Sequence, residues 1–416
     1  MQVFKFGGAS INSIERIENV GKIIQSFTGE KILIIISAMG KTTNALEKVV
    51  DAFFSGDTKV ALELFEGIKN EHDYVLKQLT NKEATVLKDF YTEIEWLLHD
   101  KPVREYDYYY DQIVCSGELL STAMVSSYLN EIGVKNNWID VRDILRTDDN
   151  FRDAVVDWNF TQQKIESLIK PLFDNNDIVI TQGFIGATDE NESTTLGREG
   201  SDYTAAIFAN MLDAKNQTIW KDVEGVMNAD PKEFTDAQII NYLSYNEVIE
   251  MAFYGAQVIH PKTIKPLQNK QIPLHVKCFL NPALPGTVIG SKAAHSLPPI
   301  IVVKNNQALL QLSSKDFSFV GEEYVGKLYE LLAELKIKPN LTQNGAISIL
   351  CCLDDKPEKI EKLALAASQY FDVVVEKDLT LLTVRHYTKE KFDELTLGKQ
   401  VILTQRTLET VQALMR

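Results

Sequence analysis

The chain alternates short, continuously apolar runs with longer stretches of helical spacing. Val3 and Phe4 open an apolar strand that runs straight into Lys5-Phe6-Gly7-Gly8-Ala9-Ser10, and a helical pattern follows from about Ile14 to Ser26. Lys31–Ile36 is then unbroken and β-branched, ending at Ser37-Ala38-Met39-Gly40. A strand without alternation is one covered on both faces, so strand, loop, helix, strand predicts the opening of a parallel α/β sheet. From Ala45 to Leu98 the apolar positions Leu62, Phe65, Ile68, Leu76 and Leu79 recur every three to four residues, which reads as a helical excursion from that sheet.

The α/β rhythm then resumes. A helix is expected over Ser116–Tyr128, a strand over Asn137–Val141, a helix around Thr161–Phe173 and a buried strand over Asp177–Thr181. Another helix after Gly200, a strand over Gln217–Lys221, a helix over Tyr245–Tyr254 and a strand over Leu274–Cys278 complete the series. Asn281–Pro299 concentrates proline and glycine and marks a domain boundary. Beyond it the spacing predicts strand (Ile300–Leu312), helix (Tyr324–Leu335), strand (Ala346–Leu353), helix (Lys359–Tyr370), and two short strands (Val373–Val375 and Leu379–Val384). That order is close to a ferredoxin-like βαββαβ module. A second module is expected to have lost a helix, passing through a polar stretch to strand Val401–Thr404 and a terminal helix.

Length and composition narrow the class. At 416 residues the chain exceeds what one hydrophobic core usually holds. A net charge of -15, without a basic stripe, argues against nucleic acid and against anionic membrane surfaces. Cys115, Cys278, Cys351 and Cys352 show neither metal-ligand spacing nor a disulfide framework, and read as buried thiols of a reducing compartment. With no signal-like N-terminus and no long apolar run, the expected location is cytoplasmic.

The polar clusters sit where the strands end, which is where ligands gather in such sheets. Thr194–Ala206, TTLGREGSDYTAA, combines an anion-binding loop with a helix start: Gly197 and Gly200 permit close approach, Ser201 and Asp202 stand where an N-cap would open the alanine-rich helix that follows, and Arg198 supplies a planar fork for a carboxylate. Taken alone, a well-capped surface helix explains it better. Lys5 with Gly7 and Gly8 suits a phosphate at a strand end, although Gly-Gly there is also a plain turn. Glu118, in the first turn of its helix, either satisfies the helix dipole or accepts a substrate ammonium. Neither a P-loop motif nor a protein-kinase signature set occurs, so any kinase chemistry belongs to another lineage.

Taken in order, KFGGAS, SAMGKTTN, SGELLS, TTLGREGSDYTAA, WKDVEGVMNADPK and MAFYGAQVIHP make residues 1–290 resemble the aspartate kinases. The resemblance implies the amino acid kinase fold, a three-layer αβα sandwich around a mostly parallel sheet. The region 298–416 resembles the ACT regulatory modules of the same enzymes, with the second module shortened. The implied reaction transfers the γ-phosphoryl of ATP, with magnesium, to the β-carboxylate of L-aspartate, the first step towards lysine, threonine and methionine. Lys5 and Asp202 would be catalytic, Asp202 organising Lys5. Ser37, Thr43, Glu118, Arg198, Glu199, Gly200 and Ser201 would hold aspartate, Glu118 taking the ammonium and Arg198 the α-carboxylate. Lys5, Phe6, Gly7, Gly8, Lys221, Asp222, Met227, Lys232, Gln257 and Val258 would line the nucleotide site. A carboxylate nucleophile is ionised at neutral pH, so alignment and charge neutralisation suffice.

Three positions depart from the family: Ala9 for Thr, Glu199 for Gly and Gln257 for Lys. Lys221, where Thr is common, would return the charge that Gln257 lacks, whereas Glu199 adds an unexplained negative charge. Asn340, Gln343 and Asn344 are the expected contacts for a lysine or threonine effector, and pairing of strand edges in the tail predicts a homodimer or higher homo-oligomer. Another kinase of the same fold, and a non-catalytic amino acid sensor, are the alternatives. Glu118 with Arg198 disfavours the first, and retention of Lys5 with Asp202 disfavours the second.

Overall fold

A computed structural model describes the chain except for residues 257, 293–295 and 317. Contacts divide it into two compact units: Met1–Val226 with Ile239–Ile249 and Ile259–Ala294, and Met227–Gln238 with Glu250–Val258 and His295–Arg416.

The first unit is built on β1 (Gln2–Phe6), β2 (Ile32–Ile36), β3 (Asn136–Trp138), β4 (Ile178–Gln182), the hairpin β5 (Ile185–Ala187) and β6 (Ser193–Thr195), then β7 (Gln217–Lys221), β8 (Tyr242–Ser244), β9 (Leu274–Cys278) and β10 (Thr287–Gly290). All but the hairpin form one sheet in the order β3-β4-β2-β1-β7-β9-β10-β8, parallel except for the β9–β10 pairing. Every residue of β2 is buried, as its unbroken apolar run requires.

Alternation along the strands separates two faces. Phe4, Phe6, Ile32, Ile34, Ile36, Ile178 and Ile180 belong to one core cluster with α1 (Ile14–Gln25), α2 (Thr42–Phe54), α3 (Thr58–Thr80), α4 (Lys88–His99), α5 (Tyr106–Val114) and α6 (Ser116–Glu131). The helical excursion is therefore the layer that covers this face. Val3, Lys5, Leu33 and Ile35 point to the opposite face, where α8 (Gly200–Met211) packs beside α10 (Pro261–Lys270), α9 (Tyr245–Tyr254) coming between them in the chain. These are the three layers of an αβα sandwich. The expected helix at Thr161–Phe173 is α7 (Trp158–Lys164), a short π turn and a 3₁₀ turn in succession, the last carrying Pro171.

The second unit carries a six-stranded sheet, all of it antiparallel: β11 (Ile300–Ser314), β12 (Leu341–Asn344), β13 (Ser348–Asp354), β14 (Phe371–Arg385), β15 (Val401–Arg406) and β16 (Thr410–Met415), in the order β12-β13-β11-β14-β16-β15. β11, α11 (Glu322–Glu334), β12, β13, α12 (Pro357–Ala367) and β14 follow the βαββαβ order, and both helices bury Leu328, Leu332, Ile360 and Leu363 on one core.

Three expectations need correction here. Val373–Val375 and Leu379–Val384 are one continuous strand, because the polar break between them is absorbed by register shifts opposite Lys304 to Leu309. The helix thought lost is α13 (Lys389–Thr396), whose Thr388 hydroxyl caps Lys391 N at 3.2 Å. The terminal helix is a strand: Thr410–Met415 is entirely buried and pairs with β14 on one side and β15 on the other.

Candidate active site

β1 and β7 are neighbours, so their carboxyl ends bring Gly7-Gly8 and Lys221-Asp222 side by side. Gly7 opens a 3₁₀ turn at Gly8–Ile11, and Gly40 N donates to Gly8 O at 3.1 Å, joining the loops after β1 and β2. An added Cβ on Gly8 would lie 2.7 Å from Ala38 O and 3.0 Å from Gly40 O. Phe6 itself is buried and stacks parallel to Trp220 at 6.0 Å, leaving only its backbone for a ligand.

Beside these loops lies a cleft of about 430 Å³. It gathers Lys5, Ser37, Thr43, Glu118, Arg198, Glu199, Gly200, Ser201 and Asp202, which are every residue expected to hold aspartate together with the catalytic pair. Lys5 Nζ lies 2.6 Å from Asp202 Oδ1, with both side chains almost wholly out of solvent. Asp202 stands in the first turn of α8, where a carboxylate is favourable to the helix dipole. That oxygen has no hydrogen-bond partner of good geometry among the described residues, so the ammonium is what compensates it.

Glu118 enters from the first turn of α6 and is buried. Its Oε1 accepts from Ala38 N at 3.1 Å, which ties it to the loop after β2. Its Oε2 has no partner among the described residues. Burial pushes this carboxyl up to about 8, against smaller opposing effects of the Ala38 N–H, its own N–H and Lys5. A buried carboxylate oxygen without a donor is an acceptor prepared for a cation.

Glu199, unexplained by sequence, has a structural role. Its backbone is left-handed at φ 54, it precedes α8 as the N-cap, and its Oε2 accepts from His260 N at 2.8 Å at the start of α10. The negative charge is thus directed at a helix N-terminus.

Tyr110, Arg152, Phe184, Thr195 and Gly197 also line the cleft. Thr195 and Gly197 lie inside or beside the Thr194–Ala206 stretch, but Tyr110 and Arg152 carry no motif. Met227, Lys232 and Val258 belong to the second unit, and Gln257 lies outside the described residues. Asn340 is hydrogen-bonded within the second unit: its Oδ1 accepts from Lys304 Nζ at 2.7 Å and its Nδ2 donates to Gln307 Oε1 and Asp354 Oδ1 at 2.7 and 2.8 Å. Gln343 and Asn344 form the end of β12, at the edge of its sheet. Among the described residues no helix is long and apolar enough to cross a membrane.

A parallel α/β sandwich with a glycine-lined cleft at its strand ends, holding both cations and carboxylates, is an architecture suited to phosphoryl transfer. A sequence profile described as the amino acid kinase family matches residues 1–278, and the chain belongs to that family. Aspartokinase 1, chloroplastic, of Arabidopsis thaliana is 34% identical over 395 residues, covering 90% of this chain and 66% of that protein. Lysine-sensitive aspartokinase 3 of Escherichia coli strain K12 is 32% identical over 362 residues, covering 85% and 78%. The crystal structure of E. coli aspartokinase III in complex with aspartate and ADP, described as R-state, superposes with a TM-score of 0.83 at 26% identity, over 100% of this chain and 96% of that one. The chain spans about two thirds of the Arabidopsis protein's length.

Proposed function

We propose that the chain is an aspartate kinase, transferring the γ-phosphoryl of ATP to the β-carboxylate of L-aspartate to give 4-phospho-L-aspartate. The observation that carries this reading is one cleft holding Lys5 against Asp202 together with Glu118 and Arg198. The two groups needed to grip an amino acid, an acceptor for its ammonium and a fork for its α-carboxylate, share a wall with a cation suited to a transferring phosphoryl group. Similarity to proteins named aspartokinases supports the same choice of substrate.

In this mechanism Glu118 Oε2 takes the substrate ammonium, Arg198 the α-carboxylate, and Ser201, Ser37 and Thr43 complete the pocket. The β-carboxylate is left pointing at the strand ends, already ionised, so no general base is required. Lys5, held by Asp202, neutralises charge that accumulates on the phosphoryl oxygens as the bond to the leaving phosphate breaks. Gly7 and Gly8, with Lys221 and Asp222 alongside, would receive the nucleotide. Magnesium would supply further charge neutralisation on the phosphates. Among the described residues no cluster of three His, Cys, Asp or Glu side chains stands where it could hold a metal ion.

The product would feed lysine, threonine and methionine synthesis. Lysine, for which one relative is named sensitive, is the effector to test first, with threonine second. The tail of 298–416 is proposed as the regulatory and dimerisation region, consistent with the exposed edges of β12 and β15.

ATP turnover with aspartate, glutamate, acetylglutamate and UMP in turn, with acyl phosphate trapped by hydroxylamine, tests the activity. Hydroxamate with aspartate alone is expected. Its absence with aspartate sinks the reading.

A further inference from the structure

Asp111 lies within α5 and is fully buried. No ion pair involves it among the described residues. Its Oδ2 accepts from Arg152 N at 3.0 Å and from Thr195 N at 2.7 Å, and its Oδ1 accepts from the Thr195 hydroxyl at 2.7 Å. Enclosing a carboxylate in protein is costly, and these three bonds, with a smaller attraction from the Arg152 guanidinium, offset it. Both segments that it holds run into the cleft.

The two segments are also the two sides of a clamp. Thr195 ends β6 and leads through Leu196 to Gly197 and Arg198. Arg152 sits in a left-handed conformation at φ 69, which an L-residue adopts only when its surroundings impose it. Its carbonyl and the following Asp153 carboxylate occupy the space over Gly197, 3.1 and 2.8 Å from where a Cβ would stand. Gly197 in turn has φ 75. Ala154 N donates to Thr195 O at 3.0 Å, joining the two sides directly. Arg198 therefore leaves a backbone fixed from both directions by one carboxylate.

We infer that Asp111 is a positioning residue, which aims Arg198 at the α-carboxylate of the amino acid substrate by clamping the Arg152 and Thr195 segments around Gly197. The inference rests on the reading of the cleft as an amino acid kinase site. Because Asp111 acts on one wall only, its removal should weaken the acceptor substrate and spare the nucleotide.

The experiment is steady-state kinetics on the full chain. Asp111→Ala is expected to raise the aspartate KM by about tenfold or more, with the ATP KM within about twofold of the parent. Asp111→Asn is the rescue variant: its carboxamide oxygen serves the two N–H groups while its NH₂ donates to the Thr195 hydroxyl, so its aspartate KM should stay within about threefold. If Asp111→Ala does not fold, Thr195→Val and Thr195→Ser replace it. Val deletes one bond of the clamp and should raise the aspartate KM, whereas Ser keeps the hydroxyl and should not. An unchanged aspartate KM in the folded Ala variant or in Thr195→Val, or equal losses towards aspartate and ATP, overturns the inference. A parent protein that forms no hydroxamate with aspartate overturns the functional reading instead, so the two failures are distinguishable.

Discussion

Lys5 Nζ and Asp202 Oδ1 stand 2.6 Å apart, one at the end of β1 and the other in the first turn of α8. The contact crosses from sheet to helix layer and converts a flexible lysine into a fixed cation at the floor of the cleft. Lys5→Met is expected to lower kcat by on the order of 10²–10³ while the protein remains folded, because a preorganised charge is lost from the reacting end. Asp202→Asn should lower kcat less and leave the aspartate KM nearly unchanged. Equal losses in kcat and in aspartate binding for Lys5→Met would count against its placement at the phosphoryl group.

Glu118 should make aspartate binding depend on pH. Burial holds its carboxyl at about 8, so in the empty cleft it is mostly neutral below that pH. An ammonium partner demands the carboxylate, so binding releases a proton and affinity should fall as pH is lowered through about 8. Calorimetry in buffers of different ionisation enthalpy reads that proton directly. Glu118→Gln should bind aspartate weakly and with a flat profile.

The same shift bears on stability in the absence of ligand. A carboxyl raised from its ordinary 4.5 to about 8 binds more protons folded than unfolded between those values. Stability should therefore decline as pH rises through that window, and the decline should be shallower in Glu118→Gln. Denaturant midpoints at pH 5, 6.5 and 8 compare the two proteins.

Gly8→Ala tests why the first loop carries a second glycine. The new methyl would meet the carbonyls of Ala38 and Gly40, both backbone atoms that cannot swing aside. A loss of about 1–3 kcal/mol in unfolding free energy is expected, along with a raised ATP KM. Full stability in this variant would mean that the two loops are free to separate.

Glu199 separates strain from bonding. Glu199→Gly loses the bond to His260 N but relieves the left-handed backbone, so its stability should change by less than about 1 kcal/mol. Glu199→Ala loses the bond and keeps the strain, so about 1–2 kcal/mol should go. Thermal unfolding of both against the parent gives the answer; a Gly variant as damaged as the Ala variant would contradict this account.

Features that depend on local spacing were legible before any fold was known. The unbroken Ile32–Ile36 run specified a two-faced strand, and glycines beside Lys5 and Arg198 marked the turns there. The C-terminal strand was not legible. Gln412, Ala413, Leu414 and Met415 favour a helix by themselves, and only pairing on both sides with β14 and β15 makes them extended. Asp111 escaped notice for a related reason, since one acid in a tyrosine-rich helix carries no signal until its hydrogen bonds are seen.

The sequence by itself determined most of the order of strands, loops and helices ahead of the tail, the chemical types placed at strand ends and the family they resemble, because periodicity and glycine placement act over a few residues. The tertiary structure alone decided which of those groups meet. Lys5 reaches Asp202, Glu118 is buried with one oxygen that no described residue pairs, and Glu199 turns to His260. Such pairings depend on how layers pack, and burial sets the charge state of Glu118 through solvent exclusion. Neither effect has a counterpart in local sequence.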